Sequence, residues 1–290
     1  MSVLAFASVR SCGVTTTAVA LAATWPGGPD SRGNRVLLAE LDPAGGTLAA
    51  ASGWPPEPGL VSLAAAARRG GGPDLVWEHC QRLPGGAAVL AGPTAAEQAR
   101  NALGKLAGLI GRLGELDADV LVDCGRLDHG SANLGVMAGA DRVVLVARPR
   151  LADLHALATW GEAHRLDGGN VGLVLVGDGP YPDNEITEAL GIEVVARLPW
   201  DPDGAAALVS VSASARQLRM SPLVRAARSL ADNLGGEALG PAPGERVEDR
   251  ATGGSLRTRV LRAWRTEPVA APTNGTASPA NGTAPEEVSW

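Results

Sequence analysis

The chain has 290 residues, of which 45% are hydrophobic, and a formal net charge of −6. This composition is sufficient for a core of one large or two small domains, and it excludes a chain that is disordered throughout. The acidic balance argues against nucleic-acid binding by the whole surface, although a local basic patch remains compatible with it. Lysine occurs once, as Lys105, so any mechanism that needs a lysine elsewhere is excluded.

Short apolar runs alternate with helical segments along most of the chain. The predicted strands are Val3–Ala7, Val36–Leu41, Ala87–Ala91, Val120–Asp123, Arg142–Ala147, Val171–Val176 and Glu193–Ala196. The predicted helices are Thr15–Thr24, Ala95–Leu113, Leu151–His164, Glu185–Leu190 and Leu223–Leu234. Apolar strands that alternate with helices predict a three-layer α/β fold, with a mostly parallel twisted sheet of about seven strands and helices on both faces. Ligands of such sheets bind beyond the carboxyl ends of the strands.

The composition changes near residue 234 and divides the chain into four parts. Residues 1–234 form the predicted domain, and residues 235–254 form a Gly/Pro-rich flexible linker. Residues 255–265 are basic, and residues 266–290 are predicted to be disordered. Neither a signal peptide nor a transmembrane segment is predicted, so we expect a cytoplasmic protein. The cysteines (Cys12, Cys80, Cys124) and histidines (His79, His129, His155, His164) lack disulfide or metal-site spacing.

Three strand ends carry residues typical of phosphate and metal binding. The first strand leads into a loop with Gly13 and a threonine-rich helix start, whose backbone amides and hydroxyls can bind an anion and Mg²⁺. The second ends in Glu40 and Asp42, which can hold a metal-bound water and orient an attacking water. The fourth ends in Asp123, where a magnesium-organising aspartate is expected. Taken singly, each pattern also fits a capped helix or a charged strand end.

Taken together, the three motifs resemble the deviant Walker-A ATPases of the ParA/MinD family. The family's phosphate loop, KGGxGKTT, aligns with residues 9–16, and its DxDPQG motif aligns with residues 40–45. Asp123 falls on the Walker-B aspartate. Two further segments, Leu83–Pro93 and Arg197–Leu208, are similar to the family's "lPAG" strand and to its "iPyDp" loop near the adenine.

The resemblance implies a P-loop NTPase fold with ATP and Mg²⁺ as cofactors and a homodimer as the assembly. The implied catalytic or switch carboxylates are Glu40 and Asp42, and the implied magnesium ligands are Thr15, Asp42 and Asp123. The implied nucleotide-binding residues are Arg10, Ser11, Cys12, Gly13, Val14, Thr15, Thr16, Pro199 and Asp201.

The chain departs from the family where the family uses positive charge. Val14 stands at the Walker-A lysine, and Val9 stands at the lysine that reaches the partner's nucleotide. Two loop glycines are replaced by Arg10 and Ser11, and Gly177 stands where an adenine-contacting asparagine is expected. Phosphoryl transfer depends on positioning and charge stabilisation, so we predict very slow or absent hydrolysis and weak or absent binding of ATP and Mg²⁺.

The basic segment 255–265 has the pattern of an amphipathic helix. Its apolar positions are Leu256, Val260, Leu261 and Trp264, and its basic positions include Arg259, Arg262 and Arg265. Such a segment can lie on an anionic membrane, bind a partner or dock on its own domain.

These observations favour a weakly active or inactive P-loop protein. It would act as a spatial-positioning or assembly factor in a division, secretion or pilus machine, bind a protein partner there, and contact the inner membrane face peripherally. The alternatives are an active ATP-dependent dimerisation switch and a chromosome or plasmid partition protein. Nucleic acid is the less favoured partner, despite the basic residues Arg216, Arg219, Arg225 and Arg228.

Overall fold

A computed structural model describes residues 1–26, 35–127, 133–164, 170–210 and 212–236. The greater part of the predicted linker, the basic segment 255–265 and the predicted tail 266–290 lie outside the described residues. The expectations for Leu256, Val260, Leu261, Trp264, Arg259, Arg262 and Arg265 therefore stay predictions.

Eight strands form one sheet in the order β3-β4-β2-β5-β1-β6-β7-β8. The strands are β1 (Val3–Ser8), β2 (Val36–Glu40), β3 (Gln81–Arg82), β4 (Ala88–Leu90), β5 (Asp119–Arg126), β6 (Arg142–Ala147), β7 (Val171–Val176) and β8 (Glu193–Leu198). Seven strands run parallel, and the two-residue edge strand β3 is antiparallel to β4. The predicted α/β fold is confirmed, with one short strand added.

Ten α-helices alternate with the strands in the described part of the chain. They are α1 (Val14–Thr24), α2 (Leu48–Ser52), α3 (Leu60–Ala67), α4 (Ala96–Ile110), α5 (Leu134–Ala138), α6 (Leu151–His164), α7 (Asp183–Leu190), α8 (Pro202–Val209), α9 (Ala215–Met220) and α10 (Pro222–Gly236). Two 3₁₀ helices, Pro73–His79 and Leu113–Glu115, complete the regular structure. None of the described helices is both long enough and apolar enough to span a membrane.

The sheet is buried on both faces, which explains why its strands are apolar throughout. The side chains of β1 alternate between the two faces of the sheet. Leu4 and Phe6 belong to the hydrophobic cluster that includes residues of α1 and α10. Ala5 and Ala7 join the cluster that includes residues of α3, α4 and α6. The result is a three-layer domain with two cores.

The strand order brings the three predicted motifs together at one edge of the sheet, the edge formed by the carboxyl ends of the parallel strands. Strand β5 lies between β1 and β2, and Asp123 is in register with both Phe6 and Glu40. All three strands are parallel, so their carboxyl ends face the same way. The loop after β1 and the carboxylates after β2 and at the end of β5 therefore meet at this edge.

Candidate functional site

The loop between β1 and α1 turns at Gly13. This residue has φ 94°, a left-handed conformation that favours glycine, and its carbonyl accepts a hydrogen bond from the Thr17 amide at 2.9 Å. A side-chain Cβ built at Gly13 would meet no atom within 4 Å. The loop thus presents open space next to the first turn of α1, where helix amides favour anions.

The two positions that align with the family's lysines hold packed apolar side chains. Val14 is only 5% exposed and belongs to the cluster on the α1 face of the sheet. Val9 is half-buried and packs against the opposite cluster. Of the remaining loop residues, Arg10 and Ser11 are exposed, while Cys12 is buried and its thiol pKa is raised by that burial. The loop therefore has one cation of its own, and it is solvent-exposed.

A buried carboxyl group lies opposite the start of α1. Asp123 is fully buried, its Oδ1 accepts a hydrogen bond from the Gly125 amide at 2.9 Å, and the side chain of Thr15 lies beside its carboxyl group. Its Oδ2 has no hydrogen-bond partner among the described residues. Burial raises the pKa of Asp123 to about 7, against the opposing effect of Thr15. A buried oxygen without a partner is costly, so this atom is poised to accept a ligand.

Asp42 lies beside this group, over the end of β5. Its Oδ1 accepts a hydrogen bond from the Ala44 amide at 2.7 Å, and a Cβ at Gly125 (φ 64°) would collide with its carboxyl carbon. Burial raises the pKa of Asp42, while the Ala44 amide and the Arg126 charge and amide lower it. Glycine at 125 thus makes room for Asp42 next to Asp123.

The carboxylate of Glu40 accepts hydrogen bonds from three backbone amides. Its Oε1 accepts from Thr47 at 2.7 Å and from Leu48 at 3.1 Å, and its Oε2 accepts from Gly92 at 2.9 Å. The side chain therefore fastens the start of α2 and the loop after β4 to the end of β2. Burial raises its pKa despite these bonds. Both oxygens are occupied, which leaves Asp42 as the more available of the two predicted switch carboxylates.

A cavity of about 200 Å³ adjoins the loop. It is lined by Gly13, Thr16, Thr17, Val176, Leu198, Pro199, Trp200, Asp201, Pro202, Ala205 and Leu223. The structure thus brings Gly13 and Thr16 together with Pro199 and Asp201, which are far apart in the sequence. A small, mainly apolar cavity next to an anion-binding loop fits the base and sugar of a nucleotide.

Asp201 supports the wall of this cavity through helix capping. Its Oδ1 accepts from the Gly204 amide at 2.9 Å, which caps α8. Its Oδ2 accepts from the Ser221 hydroxyl at 2.6 Å and from the Leu223 amide at 3.3 Å. The hydrogen bond from Ser221 is the main reason that the pKa of Asp201 is lowered. The carboxylate joins α8 to α10, so its contacts within the chain are structural.

Three residues that the sequence did not single out complete the site. Trp200 is 62% exposed at the cavity, and the Arg148 guanidinium carbon lies 5.1 Å from the centroid of its ring. The buried side chain of Asn133 donates hydrogen bonds to the carbonyls of Leu41 and Cys124, which joins the ends of β2 and β5. The available sequence signals were an arginine directly after β6 and a tryptophan inside the loop after β8.

The donor set fits Mg²⁺ and a nucleotide only in part. The unpartnered Oδ2 of Asp123 and the hydroxyl of Thr15 are hard oxygen donors, which Mg²⁺ prefers. Within the described ranges there is no cluster of three or more His, Cys, Asp or Glu side chains suited to a metal. Mg²⁺ does not need such a cluster where phosphate oxygens and water complete its coordination shell. The apolar cavity also fits, but Val14 leaves the phosphates without their usual cation.

A larger cavity shares Asn133 with this site and otherwise has a different lining. It has a volume of about 550 Å³, and its lining includes Met1 and Val3 at the beginning of β1 together with Leu103 and Ile110 of α4. Strand β1 separates it from Gly13. Size alone does not make it the candidate site, because the polar groups of the predicted motifs converge elsewhere.

No protein-family model and no curated protein matches the sequence. Solved structures with a similar fold include a ParA family ATPase from Chlorobium tepidum, with a TM-score of 0.62 and 19% identity over 79% of this chain and 98% of that chain. The septum site-determining protein MinD of Pyrococcus horikoshii, complexed with Mg-ADP, has a TM-score of 0.56 and 17% identity over 80% and 95%. The MinC:MinD complex of Aquifex aeolicus has a TM-score of 0.52 and 15% identity over 82% and 97%. The chain therefore has the fold of the ParA/MinD P-loop ATPases.

Proposed function

We propose that this chain binds a nucleotide weakly, hydrolyses it very slowly or not at all, and acts as a spatial-positioning or assembly factor. The observation that carries this proposal is the burial of Val14, at 5% exposure, beside a site that keeps Thr15 next to the buried carboxyl group of Asp123. The site has the oxygen donors and the apolar cavity that binding requires. It lacks the lysine that stabilises charge during phosphoryl transfer.

In this proposal, different parts of the site hold different parts of the ligand. The amides around Gly13 and the hydroxyl of Thr16 would hold the phosphates, and the cavity beside Pro199 would hold the base. Thr15 and Asp123, with Asp42 close by, would hold Mg²⁺. The ion would supply positive charge against the phosphate oxygens.

The missing lysine should affect hydrolysis more than it affects binding. Removal of one preorganised group that stabilises transition-state charge costs roughly 10²–10³-fold in rate. The commitment of Glu40 to three amides removes a second candidate group for orienting water. Binding also uses the loop amides, the hydroxyl groups and the apolar cavity, which the site keeps. We therefore expect the chain to bind nucleotide although it hydrolyses it very slowly or not at all.

Calorimetry with ATP and with ADP, each with Mg²⁺, tests this function together with phosphate release from the same sample. We expect measurable but weak binding and phosphate release close to the rate without protein. Thr15→Ala should weaken the Mg²⁺-dependent part of binding, and Thr159→Ala, on the exposed surface of α6, serves as its matched control. Turnover equal to that of an ordinary ATPase of this fold would contradict the proposal, and so would the absence of any binding.

The positioning role includes a homodimer and a protein partner. The fold is shared with a MinD that was solved in complex with MinC, which supports a scaffold of this kind. Light scattering of the purified chain with and without ATP and Mg²⁺ would measure the molar mass and thus show how much of the chain is dimeric. The rival function, an ATP-driven switch in chromosome or plasmid partitioning, requires both turnover and salt-sensitive DNA retention.

A cytoplasmic chain with peripheral membrane contact through residues 255–265 is part of the same proposal. Its support is the sequence pattern, in which Leu256 and Trp264 share a side opposite Arg259 and Arg262. Sedimentation with anionic liposomes, compared between the full chain and a chain that ends at residue 254, measures this contact. Equal sedimentation of the two chains would exclude it.

A further inference from the structure

Arg148 follows β6 directly, and β6 pairs in parallel with β1, which leads into the loop at Gly13. Unlike Arg10 and Arg150, which are exposed, Arg148 is half-buried. An arginine keeps its charge at every accessible pH, so a half-buried guanidinium is a fixed positive charge. Its position, and not only its charge, distinguishes it from the other arginines near the site.

The end of β6 lies next to the phosphate-binding loop, because β6 pairs in parallel with β1 and Ala7 is in register with Leu145. The loop follows β1, and Arg148 follows β6. The Arg148 carbonyl accepts a hydrogen bond from the Arg150 amide at 2.7 Å. Arg148 is therefore close to the loop that connects β1 and α1. Burial raises the pKa of the Cys12 thiol in this loop, and the charge of Arg148 lowers it by a smaller amount.

The side chain of Arg148 lies over the ring of Trp200. Its guanidinium carbon lies 5.1 Å from the ring centroid of Trp200, within the range of a cation–π contact. Trp200 lines the same cavity as Gly13 and Thr16. The guanidinium therefore contacts a residue of the cavity wall, and that cavity adjoins the segment that would bind phosphates.

The other cations near the site are arranged differently. Arg10 is exposed in the loop itself, and Arg126 acts on Asp42, on the metal side of the site. The single lysine, Lys105, is on α4, whose apolar side chains pack in the opposite core. Among the described residues, Arg148 is the half-buried cation that follows the neighbour of β1 in the sheet and contacts Trp200 in the cavity wall.

We propose that Arg148 supplies the positive charge to the phosphates of a bound nucleoside diphosphate or triphosphate, in place of the lysine that Val14 replaces. This inference rests on the proposed function, because it assumes that a nucleotide binds at this edge. A guanidinium offers paired N–H donors that match phosphate oxygens. Its contact with the exposed Trp200 is weak enough to be exchanged for a phosphate contact.

The test is calorimetry of the full chain and its variants with Mg-ATP, Mg-ADP and adenosine. Arg148→Gln should lower the affinity for Mg-ATP at least tenfold and leave that for adenosine unchanged, and Arg148→Lys should restore part of the loss. Arg150→Gln, two residues along and exposed, is the matched control and should bind like the original chain. The affinity of the original chain should also fall more steeply with salt than that of Arg148→Gln.

The outcomes separate this inference from the proposed function. Equal Mg-ATP affinity of the original chain and Arg148→Gln would overturn the inference alone, and so would a greater loss in Arg10→Gln. An equal loss of adenosine and Mg-ATP affinity in Arg148→Gln would also overturn it, because Arg148 would then act only through Trp200. No Mg-ATP binding by the original chain would overturn the proposed function, and this inference with it.

Discussion

The side chain of Thr15, in the first turn of α1, lies beside the carboxyl group of Asp123, which is fully buried at the end of β5. The phosphate-binding loop and the central strand that would organise a metal meet at these two residues. The second carboxyl oxygen of Asp123 has no hydrogen-bond partner in the part of the chain that the structure describes. A buried oxygen without a partner is costly, and this one lies at the place where a ligand would be bound.

The first prediction concerns the pH dependence of stability. The pKa of Asp123 is raised to about 7 in the folded chain, above its ordinary value of 3.8. The folded state then binds more protons than the unfolded state between these values, so the stability due to this group falls as pH rises from about 4 to 7. Asp123→Asn removes this term and should be about 1–3 kcal/mol more stable than the original chain at pH 8 without Mg²⁺.

Urea unfolding of both proteins between pH 5 and pH 8 measures this effect. Asp42 and Glu40 also have raised pKa values and, in addition to burial, their charges raise the pKa of Asp123, so the difference between the two chains measures Asp123 together with its coupling to these two carboxyl groups. Parallel stability profiles would show that Asp123 does not titrate in this range.

A second prediction addresses the missing lysine. Val14→Lys places an ammonium group at a position that is 5% exposed, so it should destabilise the chain by about 1–3 kcal/mol and leave phosphate release unchanged. Val14→Met, a neutral side chain of similar length, controls for size. Hydrolysis restored by Val14→Lys alone would mean that the rest of the catalytic arrangement is intact.

A third prediction tests the structural role of Glu40. Glu40→Gln replaces one accepting oxygen by an NH₂ group that faces a backbone amide, which should lower the free energy of unfolding by about 2 kcal/mol. Glu97→Gln, on the exposed surface of α4, should change it by less than about 0.5 kcal/mol. Equal stability of the two variants in urea would show that the three amides do not depend on Glu40.

The fourth prediction concerns the contact between Asp201 and Ser221. Asp201→Ala removes the cap of α8 and should cost about 1–2 kcal/mol. A double-mutant cycle with Ser221→Ala should give a coupling of about 1 kcal/mol, since the hydroxyl lies 2.6 Å from the carboxylate. Additive effects in thermal unfolding would indicate that the two side chains act independently.

Much of the fold could be predicted because the strands are apolar on both faces. All seven predicted strands are present, and the α1 and α6 helices match within one residue at each end. Strand β3 was missed because two residues, Gln81 and Arg82, carry no periodic signal. The predicted helix Ala95–Leu113 ends at Ile110, followed by a separate 3₁₀ turn.

The location of the site could be predicted from the sequence, but most of the contacts within it could not. Strand ends place Thr15, Asp42 and Asp123 at one edge, which follows from parallel topology. The orientation of Glu40 toward three amides depends on the close approach of Gly46 and Gly92, which no local pattern encodes. The contact between Arg148 and Trp200 joins residues from different strand ends, so it appears only once β6, β7 and β8 are assembled.

The most direct test of the central claim is equilibrium dialysis of the full chain against ATP and Mg²⁺, followed by chromatography of the nucleotide on the protein side. We expect an excess of nucleotide on that side, recovered as ATP after hours of incubation. Recovery mainly as ADP would contradict the predicted loss of hydrolysis. An equal concentration of nucleotide on both sides would contradict the predicted binding.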